Sequence, residues 1–271
     1  LRLPPQTLTA ALTHHDKAAL CDEQRVNSPS FLNEQGFAVG RRAVSASAAA
    51  AALAGLETRK ILKTELAGGR VYTDLLTLGQ LYELSPDLVD HLQELLNTWH
   101  ANGWLPRSDF EGPWSRPPIL GEGQFILADP KQFHHLQSAE PSTRYRYDWH
   151  VDGDGYKSRR MHKLWLLLKK EESQKEHANI VVASSAAFEA VGERALQLDP
   201  SPTLTPAATD LMPGSELYYR REALLEASGC TLHLNVGDVA FLAEDTLHRT
   251  QDLLADRVAL LINVITSEHE R

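Results

Sequence analysis

Between Gly237 and Val264 the sequence reads GDVAFLAEDTLHRTQDLLADRVALLINV. Gly237-Asp238 marks a turn, VAFLA a β-run, and His248 stands at the polar end of that run. Arg257 then opens a second run, RVALLINVIT. Side chains alternate between the two faces of a strand, so Ala259, Leu261 and Asn263 share the face of Arg257. An arginine on an otherwise small, apolar face needs an anion to justify its burial. The alternative is an exposed residue pairing with Asp252 or Asp256, a contact of little energetic consequence.

Working backwards, further β-type runs begin at Gln124 (QFILA), Tyr145 (YRYDWHV), Lys163 (KLWLLL), Asn179 (NIVVAS), Glu216 (ELYY) and Thr231 (TLHLNV). About eight such strands separated by turns predict a sandwich or barrel of the jelly-roll type. The preceding part reads differently. Ser45 to Leu66 is rich in the best helix formers. Ser85 to Trp104 opens with a serine N-cap and a proline at the first helical position, followed by a stripe of Leu88, Leu92, Leu95 and Leu96. The expectation is a single α+β domain over 1–271, mainly helical over 1–120, with a double-stranded β-helix (cupin-like) core over 121–271. The Pro- and Gly-rich stretch from Gly112 to Gly123 reads as a boundary or long loop, and 111–122 and 197–215 are candidate lids. KKEESQKEH, from Lys169, reads as an exposed loop.

WHVDGDGY, Trp149 to Tyr156, carries the remaining chemistry. Strand alternation puts Tyr145, Tyr147, Trp149 and Val151 on one face and Asp148, His150 and Asp152 on the other. Imidazole and carboxylate are thereby aimed to the same side, and Gly153 and Gly155 let the chain turn away. A His-X-Asp pair alone is weak. In combination, His150, Asp152, His248 and Arg257 resemble the iron(II)/2-oxoglutarate-dependent dioxygenases, most closely the phytanoyl-CoA dioxygenase-like branch, over roughly Gln124 to Thr266. Two imidazoles and one carboxylate on one face of a metal are the ligand set linked to non-haem Fe(II) oxygenases.

What that resemblance implies is specific. His150, Asp152 and His248 would hold Fe(II), Arg257 would bind the distal carboxylate of 2-oxoglutarate, and Thr250 and Trp165 would lie near this cosubstrate. O2 would be consumed, succinate and carbon dioxide released, and a small, polar metabolite such as an amino acid or biosynthetic intermediate hydroxylated. Related halogenases replace the carboxylate with a small residue, so the retained Asp152 favours hydroxylation. The Arg-X-Ser pattern of another branch is absent, because Ala259 stands at the serine position. Two other readings remain open: a cupin-type metal enzyme that does not use 2-oxoglutarate, and a non-catalytic binding module.

Composition bounds the partners. With 27 Lys and Arg against 36 Asp and Glu, the net charge of −9 disfavours general binding to nucleic acid. No apolar run approaches the ~20 residues that cross a bilayer. Two distant cysteines, Cys21 and Cys230, fit a reducing, cytoplasmic setting. KSRRMHK, Lys157 to Lys163, is a basic cluster that reads either as a solvated loop or as a handle for an anionic substrate group. His14, His15, His134, His135, His162 and His233 read as surface or packing residues.

Overall fold

The computed structural model describes residues 37–58, 63–66, 70–103, 105, 117–128, 162–183, 229–242, 246–251 and 253–265. Ten strands and three helices fall within them. In chain order these are β1 (Phe37–Gly40), α1 (Ala46–Thr58), β2 (Lys63–Leu66), β3 (Arg70–Thr73), α2 (Leu78–Leu84) and α3 (Pro86–Ala101). Then come β4 (Ile119–Ala128), β5 (His162–Lys169), β6 (Ile180–Ala183), β7 (Cys230–Leu232), β8 (Val239–Leu242), β9 (Leu247–Thr250) and β10 (Arg257–Ile265). A single 3-10 turn, Glu172–Gln174, lies between β5 and β6.

Two antiparallel sheets result, one of seven strands in the order β1-β8-β5-β10-β4-β3-β2 and one of three in the order β7-β6-β9. The large sheet is covered on both faces, and this explains why its strands read as continuous apolar runs. Leu164, Leu166 and Leu168 of β5, Val239 and Phe241 of β8, and Leu260, Ile262 and Val264 of β10 pack with the helices. The alternate residues face the small sheet: Trp165 and Leu167, Ala240 and Leu242, Ala259 and Leu261 join Ile180 and Val182 of β6 and Leu232 of β7.

The helices obey their local signals. Ser85 stands at the N-cap position of α3 without a side-chain hydrogen bond to that helix, Pro86 occupies its first turn, and Leu88, Val89, Leu92, Leu96 and Trp99 form the buried stripe. In α2, Thr77 and Gln80 form a reciprocal capping box. α1 buries Ala48, Ala49, Ala52 and Leu56, small residues that allow close approach, and Ser85 Oγ donates to the Ala48 carbonyl at 3.2 Å.

The helix expected over Ser45–Leu66 stops at Thr58, and Lys63–Leu66 instead forms β2, paired in register with β3. Thr64 in β2, and Val71, Tyr72 and Thr73 in β3, supply the β-branched and aromatic types that favour strands. Their short segments were masked by the alanine-rich run before them. The part ahead of residue 120 therefore contributes three strands as well as three helices. The expected loop ending at Gly123, and with it the end of the candidate lid 111–122, is also revised. Ile119–Gly123 belong to β4, and β10 pairs with that strand along its length. The other candidate lid, 197–215, and the runs YRYDWHV and ELYY lie outside the described residues.

One turn fastens the helical part to the sheets. Gly237 adopts a left-handed conformation (φ +88°), and a β-carbon there would collide with the Val44 carbonyl oxygen. Val44 N–H donates to the Gly237 carbonyl at 3.0 Å. Beside it, buried Asp238 accepts from Arg41 Nη1 at 2.8 Å, from the Arg42 amide at 2.8 Å and from the Asn235 amide at 2.9 Å. Gly237→Ala combines an unfavourable φ with a steric clash. It is expected to lower unfolding free energy by roughly 3 kcal/mol, read by chemical denaturation against Gly103→Ala, whose added methyl meets nothing within 4 Å.

Candidate active site

Cross-strand neighbours in an antiparallel pair point to the same face. β9 pairs with β6 so that His248 lies opposite Val182 and Thr250 opposite Ile180. Both β6 residues belong to the layer between the sheets, and that register turns His248 and Thr250 toward the same layer. From the opposite wall, β10 directs Arg257, Ala259 and Leu261 inward, with Trp165 of β5 opposite Leu261. Four of the six site residues expected from sequence thus face one layer. His150 and Asp152 lie outside the described residues. Among those described, no group of three or more His, Cys, Asp or Glu side chains assembles.

Arg257 is 1% exposed, the largest of the fully buried side chains. This removes the reading of an exposed surface residue. Its guanidinium carbon lies 5.1 Å from the centroid of the Trp165 ring, a cation-π distance, and Nη1 donates to the Ala178 carbonyl at 3.2 Å. Past Val258 the pairing of β10 with β5 shifts register, Val258 lying opposite Lys169 and Ala259 opposite Leu167, so the extra residue, Leu168, lies on β5. Ala178 itself has φ +57°, a strained backbone for a residue with a β-carbon, and is fully buried.

His248 is buried, and its Nδ1 lies 3.0 Å from the Thr246 carbonyl oxygen. A carbonyl only accepts, so Nδ1 carries a proton, and in the neutral ring the lone pair is then on Nε2. Metal-binding histidines are held in their ligating tautomer in this way. The donor chemistry of His248 accordingly fits a divalent metal.

The segment between β5 and β6, expected to be an exposed loop, is partly internal. Lys170 Nζ donates to the Asn179 Oδ1 at 2.7 Å, the Lys175 carbonyl at 2.8 Å and the Leu234 carbonyl at 3.3 Å. Gln174 and Asn179 are completely buried. No signal in the charge-rich run KKEESQKEH distinguishes these residues, because local composition cannot report that a loop folds beneath its neighbour. Of the histidines read as packing or surface residues, His162 stacks on Phe241 at 5.4 Å and His233 is exposed beside Glu176. In the basic cluster, Lys163 Nζ donates to Asn263 Oδ1 at 2.7 Å; Lys157 to Met161 lie outside the described residues.

No family model and no curated protein sequence matches the chain. Solved structures do. The non-haem α-ketoglutarate-dependent carbocyclase SnoK of nogalamycin biosynthesis matches at TM-score 0.52 and 14% identity, over 93% of this chain and 86% of its own. A prolyl-4-hydroxylase from Pseudomonas putida matches at TM-score 0.51 and 11% identity, over 89% and 98%. AviO1 from Streptomyces viridochromogenes matches at 0.50 and 13%, over 96% and 99%. The fold is therefore the mixed α/β, antiparallel-sheet fold used by 2-oxoglutarate-dependent oxygenases.

Burial, and next the charge of Arg257, push the Lys170 ammonium down to about 8 from an ordinary 10.5, with Glu176 and Glu172 opposing. Below about pH 8 the lysine is charged in both folded and unfolded chains and the folded form bears the full cost. Between about 8 and 10.5 the unfolded chain binds more protons, so this group's contribution to stability rises with pH. Measured by denaturant titration, the stability of wild type relative to Lys170→Met is expected to increase from pH 7.5 to pH 10.

Proposed function

We propose that this chain is a non-haem Fe(II)- and 2-oxoglutarate-dependent oxygenase of the phytanoyl-CoA dioxygenase-like branch. Its proposed reaction hydroxylates an unactivated C–H bond of a small, polar metabolite, with succinate and CO2 as coproducts. The observation that carries the reading is Arg257. Its guanidinium is buried on the inner face of a sheet, under an aromatic ring and across the layer from a histidine. That placement suits a side chain that takes the distal carboxylate of a dicarboxylate held by a metal at its other end. A keto-acid-independent metal enzyme or a binding module gives this buried arginine no comparable task.

His150, Asp152 and His248 would hold the iron. Iron in this ligand set would supply the oxidation that couples decarboxylation of 2-oxoglutarate to insertion of oxygen into substrate. The protein's own residues orient and shield. The Thr246 carbonyl fixes the His248 ring through Nδ1–H, leaving Nε2 to ligate. Arg257 binds the distal carboxylate with a guanidinium suited to paired hydrogen bonds. Trp165 covers that guanidinium and keeps water from screening the pair. Thr250, on the strand of His248, would add a hydroxyl near the cosubstrate.

Hydroxylation is favoured over halogenation by the carboxylate at Asp152, since related halogenases carry a small residue at that position. A polar substrate is favoured by Lys157, Arg159 and Arg160, a basic cluster close in sequence to the site. Screening amino acids and biosynthetic intermediates should identify a compound that stimulates succinate release in the presence of Fe(II), 2-oxoglutarate and O2. Asp152→Ala is expected to abolish that release. Arg257→Ala should raise the KM for 2-oxoglutarate by at least ~30-fold, the scale of losing a charge-assisted hydrogen bond. Full activity in Asp152→Ala, or an unchanged KM in Arg257→Ala, defeats the proposal.

A further inference from the structure

Gln174 lies in a charge-rich run yet is 0% exposed, and its amide is committed to one short stretch of backbone. Nε2 donates to the Ala255 carbonyl at 3.1 Å and the Asp256 carbonyl at 3.2 Å. Oε1 accepts from the Leu254 amide at 3.1 Å and the Ala255 amide at 3.0 Å. The four bonds satisfy both donors and both lone pairs of the carboxamide. All of them fall on the three residues immediately before Arg257.

The same connector reaches the other end of that loop and the arginine itself. Asn179 Nδ2 donates to Gln251 Oε1 at 3.0 Å, and the Gln251 amide donates to the Asn179 carbonyl at 2.9 Å. Gln251 directly follows Thr250, three residues beyond His248. Between Gln174 and Asn179, Ala178 offers its carbonyl to Arg257 Nη1. The loop joining β9 to β10 thus has its Arg257 end held by Gln174 and its His248 end held by Asn179. The guanidinium is held by the strained residue next to Asn179.

We propose that Gln174 is a positioning residue for the cosubstrate: it fixes the entry of β10 and thereby aims Arg257 at the distal carboxylate of a bound dicarboxylic acid. This rests on the reading of Arg257 as a diacid-binding group. Fastening the backbone on both sides of the turn removes the freedom that a long, charged side chain at the start of a strand otherwise has. A few tenths of an ångström at that entry are magnified along the arginine side chain. Because the bonds act on the arginine end of the loop, their loss should weaken diacid binding far more than metal binding.

The test compares wild type with Gln174→Met, similar in length and without the amide, by titration calorimetry with Mn(II) alone and with 2-oxoglutarate in the presence of Mn(II). Gln174→Met is expected to weaken 2-oxoglutarate binding by ~10-fold or more, the scale of losing a supporting partner, with Mn(II) affinity changed less than ~3-fold. In an Arg257→Lys background the same substitution should add much less, because its effect passes through the arginine. Amide hydrogen exchange at Leu254 and Ala255 should quicken in Gln174→Met. Should that variant fail to fold, Gln174→Asn, neutral and one methylene short of the same backbone groups, is read the same way. Unchanged 2-oxoglutarate affinity, equal losses for Mn(II) and 2-oxoglutarate, or full additivity with Arg257→Lys overturns the assignment of Gln174 alone. Failure of wild type itself to bind 2-oxoglutarate overturns the reading of Arg257 and the inference built on it.

Discussion

The guanidinium of Arg257, seated between the two sheets, is the constraint around which the rest of this protein is arranged. Removing a full positive charge from water is costly, and the surroundings answer in part with the Ala178 carbonyl and the Trp165 indole face, within a layer rich in aliphatic side chains. Each answer comes from a different element. The carbonyl belongs to the connector ahead of β6, the indole to β5, and the arginine to β10. The two sheets are therefore joined at this point by a polar contact as well as by packing.

Charge also propagates from this centre. Lys170, just past β5, has its proton affinity lowered by burial first and by the guanidinium next, and it is held by the side chain of the same Asn179 that grips the loop after β9. A fully buried asparagine and a fully buried glutamine, five residues apart, thus serve as ties between one cation and the backbone leading to the other. Buried amides with every hydrogen-bonding position filled confer a unique geometry where aliphatic packing alone tolerates slippage.

Much of this was legible in the sequence, for reasons that also explain what was not. β5, β6, β8 and β10 announce themselves as compact apolar runs, and α3 carries its serine, its proline and its leucine stripe. Arg257 and His248 could be singled out because a charge beginning an apolar strand and an imidazole ending one are conspicuous against their neighbours. Trp165 needed the strand register to be placed over the arginine, though its face was set by alternation alone. β1, β2 and β3 escaped notice because four-residue strands produce too few alternations to stand out, and the alanine-rich helix blurred the start of β2. Gln174 and Asn179 left no trace at all. Their burial follows from a loop folding under its neighbour, a tertiary event invisible to local composition. Ile119–Gly123 misled because proline and glycine nearby suggest a loop, whereas those glycines permit β4 to pass close to β10, where a β-carbon at Gly121 would press on Ile265.

The strand order has a further consequence for how the chain matures. β10 lies between β4 and β5 in the large sheet, yet it is the last of the described strands to be synthesised. Until it emerges from the ribosome, β4 and β5 have no partner between them, and the apolar edges that will flank β10 wait open. The nascent polypeptide must hold the two parts of that sheet unsealed, and such long-range pairing closes slowly and leaves apolar edges exposed meanwhile. Closing of the sheet and arrival of the arginine at its strand head are one event, so a half-made protein cannot present a half-made pocket.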